Sequence, residues 1–132
     1  MLDTNSWIEY FKDRNSVADH VDALPRTQLC ASEITVAELI YGAYNSKNFE
    51  KHYREAMWLK NNIDIYPISD ALDDYGDIRF ATKRKGNPIG QFDLLIGATA
   101  RHYGLTVVTD NMKDFSPMPG VKIENWVERP NQ

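Results

Sequence analysis

PIGQFDLLIGATARHYGLTVVTDN, residues 88–111, is the stretch on which the fold turns. Gly90 permits a tight turn, and Asp93 then falls in the first turn of an apolar helix carrying Leu94, Leu95, Ile96, Ala98 and Ala100. Gly104 stands where a helix ends in a left-handed residue. A buried strand over residues 105–109 follows and runs into Asp110 and Asn111. One unit thus delivers oxygen ligands from a helix start and from a strand's carboxyl end, the two places where α/β folds collect chemistry.

The remainder of the chain repeats this alternation. Residues 1–3 read as the tail of a first strand, and Thr4-Asn5-Ser6 supplies capping side chains for a helix through Phe11. Asn15 or Ser16 starts a second helix with Val17, Val21 and Leu24, which Pro25 ends. Residues 28–31 form the next strand, and Ser32 or Thr35 opens a third helix. There Val36, Leu39, Ile40 and Ala43 mark one buried face and Glu38 sits in the first turn. A helix over residues 48–61 has Phe49, Tyr53, Met57 and Trp58 as an apolar stripe, the mark of a core or a subunit contact. Residues 63–68 alternate and are β-branched, hence a strand. Ser69 caps a long helix with Asp70, Asp73 and Asp74 at its start and Lys83-Arg84-Lys85-Gly86 at its end, and residues 121–123 form a short edge strand. Strands alternating with helices predict an α/β fold, a parallel sheet with helices on both faces.

Composition bounds the function. At 132 residues the chain is expected to be one domain with one core. No run approaches the ~20 apolar residues of a membrane span, and the amino terminus lacks the pattern of a signal peptide, so a cytoplasmic, membrane-free protein is expected. Cys30 lies in an apolar run and has no partner for an internal disulfide, which makes it a core residue. The net charge of −4 means that a nucleic-acid partner would require a local basic patch, a bound cation or a basic protein partner.

Asp3, Glu38 and Asp93 share one feature: each lies among apolar neighbours at a strand end or in a first helical turn. Each also has a purely structural reading. Asp3 caps the first helix, residues 35–38 form a capping box, and Asp93 answers its helix dipole. In a parallel sheet, however, all three fall at the same edge. Two carboxylates about 4 Å apart repel by roughly 4 kcal/mol at an effective dielectric of ~20, so a pocket of three requires a cation. Oxygen donors select a hard ion, magnesium or manganese, whereas one cysteine and the scattered His20, His52 and His102 argue against zinc. Such a site suits phosphodiester hydrolysis. No Walker loop or dinucleotide fingerprint is present.

Leu2-Asp3-Thr4-Asn5, Ile34-Thr35-Val36-Ala37-Glu38-Leu39, Gly90-Gln91-Phe92-Asp93, Val108-Thr109-Asp110-Asn111 and the tail from Asp114-Phe115 to Glu124-Asn125-Trp126 together resemble a PIN-domain ribonuclease, and more narrowly a VapC toxin. The resemblance spans essentially the whole chain. It implies a three-layer α/β/α PIN-like domain over residues 1–132 with a central parallel sheet. The implied activity is that of a magnesium- or manganese-dependent endoribonuclease whose acidic core is Asp3, Glu38 and Asp93, with Asp3 and Asp93 on the metal. Thr4 and Asn5 would support the first carboxylate, and Asp110 or Asn111 would complete the site. The family carries several residues before its first aspartate, so either the first strand is short here or the start lies upstream. Relatives of this kind pair with a small DNA-binding antitoxin of the VapB type that inserts a segment into the active groove, and they form homodimers. Their substrates include transfer RNA cut in the anticodon stem-loop, initiator tRNA among them.

Lys83 and Lys85, at the basic helix end just before the Gly90 turn, are the expected contacts to the RNA backbone. Lys51, Arg54 and Arg101 are the next candidates. Two other readings compete: a catalytically idle PIN domain that binds RNA or serves as a scaffold, and a magnesium-dependent phosphatase of small esters. The first would have lost the carboxylates. The second uses an aspartate two residues after its nucleophile, where Asn5 stands.

Overall fold

The computed structural model describes residues 1–13, 15–83 and 87–128. At its centre, β1 (Cys30–Ser32) pairs in parallel with β2 (Asp64–Tyr66), and β3 (Thr106–Val108) pairs in parallel with β4 (Lys122–Glu124). Residues 1–3 join the two pairs. The Val108 N–H donates to Met1 O at 2.8 Å and the Asp3 N–H to Val108 O at 2.9 Å, while the Leu2 N–H donates to Cys30 O at 3.2 Å. The order across the sheet is therefore β2, β1, residues 1–3, β3, β4.

Successive strand residues point to opposite faces, and the core divides accordingly. Leu2, Ala31 and Val108 pack with Trp7 of α1 (Thr4–Phe11), Val17 and Val21 of α2 (Val17–Asp22), Leu39 of α3 (Glu33–Tyr44) and Leu59 of α4 (Phe49–Asn62). Met1, Cys30 and Val107 pack on the other face. Their partners are Ile78 of α5 (Leu72–Ala81), Ile96 and Ala100 of α6 (Gln91–Tyr103), and Phe115 of α7 (Met112–Phe115). The result is the expected three-layer α/β/α arrangement. Cys30 is buried, as its apolar setting predicts, and among the described residues no helix is long and apolar enough to cross a membrane.

Local starts and stops differ from the sequence expectation in instructive ways. The first helix is capped by Asp3, whose carboxylate accepts from the Ser6 N–H, and not by the Thr4-Asn5-Ser6 side chains. The second strand begins at Cys30, because residues 26–28 wind into a short 3₁₀ turn after Pro25. Ser69 likewise opens a 3₁₀ turn, and α5 starts after it without a side-chain cap. In α4, Met57 and Trp58 cover the core, whereas Phe49 lies against Tyr44 and Tyr53 near the surface. Arg84, Lys85 and Gly86 lie outside the described residues.

Two glycines shape α6 and its contacts. Gly104 ends α6 in a left-handed conformation (φ 68°), which few side chains tolerate, and its N–H returns to the last carbonyls of the helix. Gly97 lets Met118 and Phe115 rest directly on α6: a methyl group there would run into the Met118 sulfur. That close approach draws the α7 segment onto the first half of α6, where Asp93 lies.

Candidate active site

Asp3 is 3% exposed. Its two oxygens have different partners. Its Oδ1 accepts from the Ser6 N–H at 2.9 Å and so caps α1, while its Oδ2 accepts from the Thr109 hydroxyl at 2.6 Å, across the sheet. Burial raises its pKa, the Thr109 and Ser6 hydrogen bonds oppose the rise, and the charge of Asp110 adds to it. The Thr109 oxygen in turn accepts from the Asn111 N–H at 2.9 Å, so the loop after β3 is tied to the first carboxylate.

Glu38 does not lie in a first turn. Ser32 caps α3, its hydroxyl accepting from the Ile34 N–H at 3.1 Å, which puts Glu38 in the second turn and leaves Thr35 buried inside the helix face. The capping-box reading of residues 35–38 therefore fails. What holds Glu38 is Thr4, whose hydroxyl donates to Oε1 at 2.6 Å. The expectation that Thr4 and Asn5 support Asp3 is corrected on the same observation. Thr4 serves Glu38, and Asn5 is exposed on the wall of a separate polar cavity of about 300 Å³ shared with Ser6, Glu9, Asp110 and Asn111.

Asp93 lies in the first turn of α6, as expected, and is half-buried. Its carboxyl is pushed up to about 6, first by burial and then by the charges of Asp3, Glu38 and Asp114, with a weak Asn111 hydrogen bond opposing. Asp3 and Glu38 are thus each within electrostatic reach of Asp93, and Asp114 is a further acid there that sequence reasoning missed. The Asn111 amide donates to Asp114 at 2.9 Å and lies 3.5 Å from Asp93, between the two. Asp110 accepts from Asn125 at 3.3 Å and is not among the charges that raise Asp93, although its charge acts on Asp3. A signal for Asp114 was present: it stands three residues after Asn111, next to the apolar Phe115, in the same strand-to-helix position that singled out the others.

An open groove of about 480 Å³ lies over Glu38, Gly90, Gln91, Phe92 and Asp93. Beside it, Arg79, Thr82, Lys83, Pro88, Ile89, Gln91 and Leu94 line a second cavity of about 550 Å³, and Gln91 belongs to both walls. Lys83 therefore flanks the acidic groove, with its ammonium 4.6 Å over the Phe80 ring. Lys85 is outside the described residues. Arg101 is no candidate for a nucleic-acid track, because Asp74 and Asp77 hold it at 2.8 Å each and Pro119 O accepts from it at 3.2 Å. Arg54 pairs with Glu50, and Lys51 lines a cavity between α1, α3 and α4. None of the histidines joins the site: His20 stacks on Trp126, His52 meets Glu55, and His102 meets Asp74.

The donor set fits a hard divalent ion. It consists of oxygens only, and burial together with the charges of Asp3, Glu38 and Asp114 raises the Asp93 carboxyl, a setting that a bound cation would relieve. Among the described residues no three acidic, histidine or cysteine side chains are gathered into a ready-made metal site. Magnesium needs no such cluster, since it keeps several waters and takes one or two carboxylates.

Comparison with known proteins agrees with this geometry. The family model for the PIN domain matches residues 1–119. The tRNA(fMet)-specific endonuclease VapC of Salmonella typhimurium is 35% identical over 127 residues, covering 96% of either chain. Ribonuclease VapC1 of Haemophilus influenzae is 34% identical over 131 residues, covering 97% of this chain and 98% of its own. Among solved structures, DNA-bound VapBC of Salmonella typhimurium superposes with a TM-score of 0.85 at 34% identity over 96% of each chain. VapBC2 of Rickettsia felis bound to promoter DNA gives 0.83 at 31% identity, covering 96% of this chain and 97% of that one.

Proposed function

The chain belongs to the PIN domain family, and from that premise we propose that it is the toxin of a toxin–antitoxin pair, a metal-dependent endoribonuclease formed by residues 1–132 as one domain. The observation that carries this reading is the placement of Asp93 in the first turn of α6, beside the Asn111–Asp114 pair and within electrostatic reach of Asp3 and Glu38, which with burial raises its carboxyl to about 6. An idle RNA-binding module has no use for such mutual repulsion. The name of the Salmonella relative supports transfer RNA as the substrate class, initiator tRNA in particular. The solved VapBC complexes, both bound to DNA, support a VapB-like antitoxin as partner; a DNA-binding role for that antitoxin and a homodimer of this chain belong to the same proposal. Its place of action is the cytoplasm.

In this reading Asp3 and Asp93 hold the magnesium ion, with manganese as an alternative, and Glu38 and Asp114 complete the acidic rim. Bound there, the ion supplies charge neutralisation on the phosphate and activation of a water nucleophile. The chain's own groups do the rest. Thr109 and the Ser6 N–H fix Asp3, Thr4 fixes Glu38, and Asn111 keeps Asp93 and Asp114 apart by donating between them. In this reading Lys83, on the wall of the cavity that shares Gln91 with the acidic groove, contacts the backbone of the bound RNA.

The test compares a structured RNA with a small phosphate ester, each with magnesium and with a chelator. Chelator-sensitive cleavage of RNA alone is the expected result. Hydrolysis of the ester would favour the phosphatase reading, and RNA binding with no cleavage in magnesium or manganese would favour the idle module.

A further inference from the structure

Asp3 and Glu38 are held in the same way. Asp3 accepts from a buried hydroxyl, Thr109, whose own oxygen accepts from a backbone N–H. Glu38 accepts from the Thr4 hydroxyl at 2.6 Å, and the Thr4 oxygen lies 3.1 Å from the hydroxyl of Thr35. A threonine hydroxyl carries one proton. An ionised carboxylate only accepts, so the Thr4 proton goes to Glu38 and Thr35 must supply the proton for the contact between the two threonines. Thr35 is fully buried, one turn before Glu38 on the same helix. Its hydroxyl bonds Thr4, and it is Thr4 that bonds Glu38.

We infer that Thr35 is a positioning residue of the active site, acting through Thr4 to hold Glu38 in the geometry that a bound divalent ion requires. This rests on the proposed metal-dependent reading of the site. The physical basis is entropic and directional. A glutamate has three rotatable bonds and would otherwise sample several rotamers at the groove mouth. One short hydrogen bond from a hydroxyl that is itself pinned by a buried neighbour restricts Glu38 to one position. Because Thr4 follows Asp3 directly in the chain, the same relay fixes the spacing between the two carboxylates. Sequence reading placed Thr35 in a capping box, where its hydroxyl would face the backbone; the structure turns it toward α1.

Thr35→Val keeps the shape and removes the hydroxyl, whereas Thr35→Ser keeps the hydroxyl and removes the methyl. Two readouts apply to each: the rise in Tm caused by magnesium alone, without RNA, and the magnesium concentration that half-saturates cleavage. For Thr35→Val the half-saturating concentration should rise about tenfold, the lower end of the ~10–100-fold that partners of metal ligands contribute. Its magnesium-induced Tm rise should shrink in parallel, and Thr35→Ser should restore both toward the wild type. A role in packing alone would instead lower the metal-free Tm of both variants and leave the half-saturating concentration unchanged. Wild-type magnesium response in Thr35→Val, or equal defects in Val and Ser variants, overturns the inference while the nuclease reading stands. If Thr35→Val does not fold, Thr4→Val cuts the relay at its other end and must give the same tenfold shift. A wild type whose Tm and cleavage both ignore magnesium overturns the nuclease reading and this inference with it.

Discussion

Asp93→Asn separates charge from shape at the centre of the site. In the folded chain this carboxyl is displaced from its ordinary value near 3.8 to about 6. Between those values the folded chain keeps a proton that the unfolded chain has released, so stability falls as pH rises through the window, and the loss is complete above it. A displacement of this size would correspond to ~3 kcal/mol for a fully buried group. Asp93 is only half-buried, and solvent screening reduces the figure to about 1 kcal/mol. The charge also sits favourably at the positive end of α6, a contribution of ~0.3 kcal/mol at moderate salt that the variant loses. Repulsion and burial outweigh it. In a chelator at pH 7.5, Asp93→Asn should melt about 2–4 °C above the wild type, and near pH 4 the two should coincide. Magnesium should raise the Tm of the wild type and not that of the variant, whose RNA cleavage is lost. A variant that melts below the wild type at pH 7.5 would show that helix capping dominates at this position, and a gain that persists unchanged at pH 4 would mean that carboxylate repulsion is not its source.

Lys83→Ala should weaken RNA binding and lower the slope of log affinity against log salt by about one, with the Lys83, Lys85 double alanine lowering it by about two; filter binding across a salt series measures this, and magnesium affinity should not change. Arg101→Ala should destabilise the fold by about 1–2 kcal/mol in denaturant melts, because it removes two charged hydrogen bonds that tie α5 to α6 and one to the loop at Pro119. Its salt slope for RNA should match the wild type. Gly97→Ala gains ~1 kcal/mol of helix propensity but forces a methyl into Met118 within a closed core, where overpacking costs ~1–3 kcal/mol. The expected net loss is about 1 kcal/mol by calorimetry, and cleavage should fall because Asp114 rides on the displaced segment.

The architecture was legible because it rests on periodicity. Leu2, Ala31 and Val108 on one face and Met1, Cys30 and Val107 on the other are alternation written directly in the chain. The turn at Gly90, the helix with Asp93 in its first turn and the stop at Gly104 also stood where their residue types demand. Which hydroxyl serves which carboxylate was not legible, because it depends on how α1 docks against α3. Thr4 is adjacent to Asp3 in sequence yet bonds Glu38, 34 positions away. Caps were misassigned for a related reason. Ser, Thr and Asp cluster at several helix starts, and only the backbone direction leaving the strand decides which of them meets an N–H. Asp114 carried the same local signal as the other acids, a place just after a strand at a helix start, but its meeting with Asp93 is a contact between elements, made through Asn111 and the close approach of Phe115 and Met118 to Gly97, which a local pattern does not encode.

The charge distribution explains how an acidic chain can still act on RNA. Carrying a net charge of −4 and four carboxylates about the start of α6, the metal-free groove repels a phosphate backbone. Several of the described arginines are already engaged: Arg101 with Asp74 and Asp77, Arg54 with Glu50, and Arg26 over the Trp58 ring. Lys83 flanks the groove through the shared Gln91 wall. Under the proposed function, a divalent ion and an RNA strand then lower each other's electrostatic cost, and linkage makes the benefit mutual: whatever factor the ion adds to RNA affinity, RNA adds to ion affinity. The salt slope assigned to Lys83 is therefore a property of the metal-loaded protein. In a chelator the same lysine faces an RNA held off by Asp93, Glu38 and Asp114, and its contribution is masked by their repulsion.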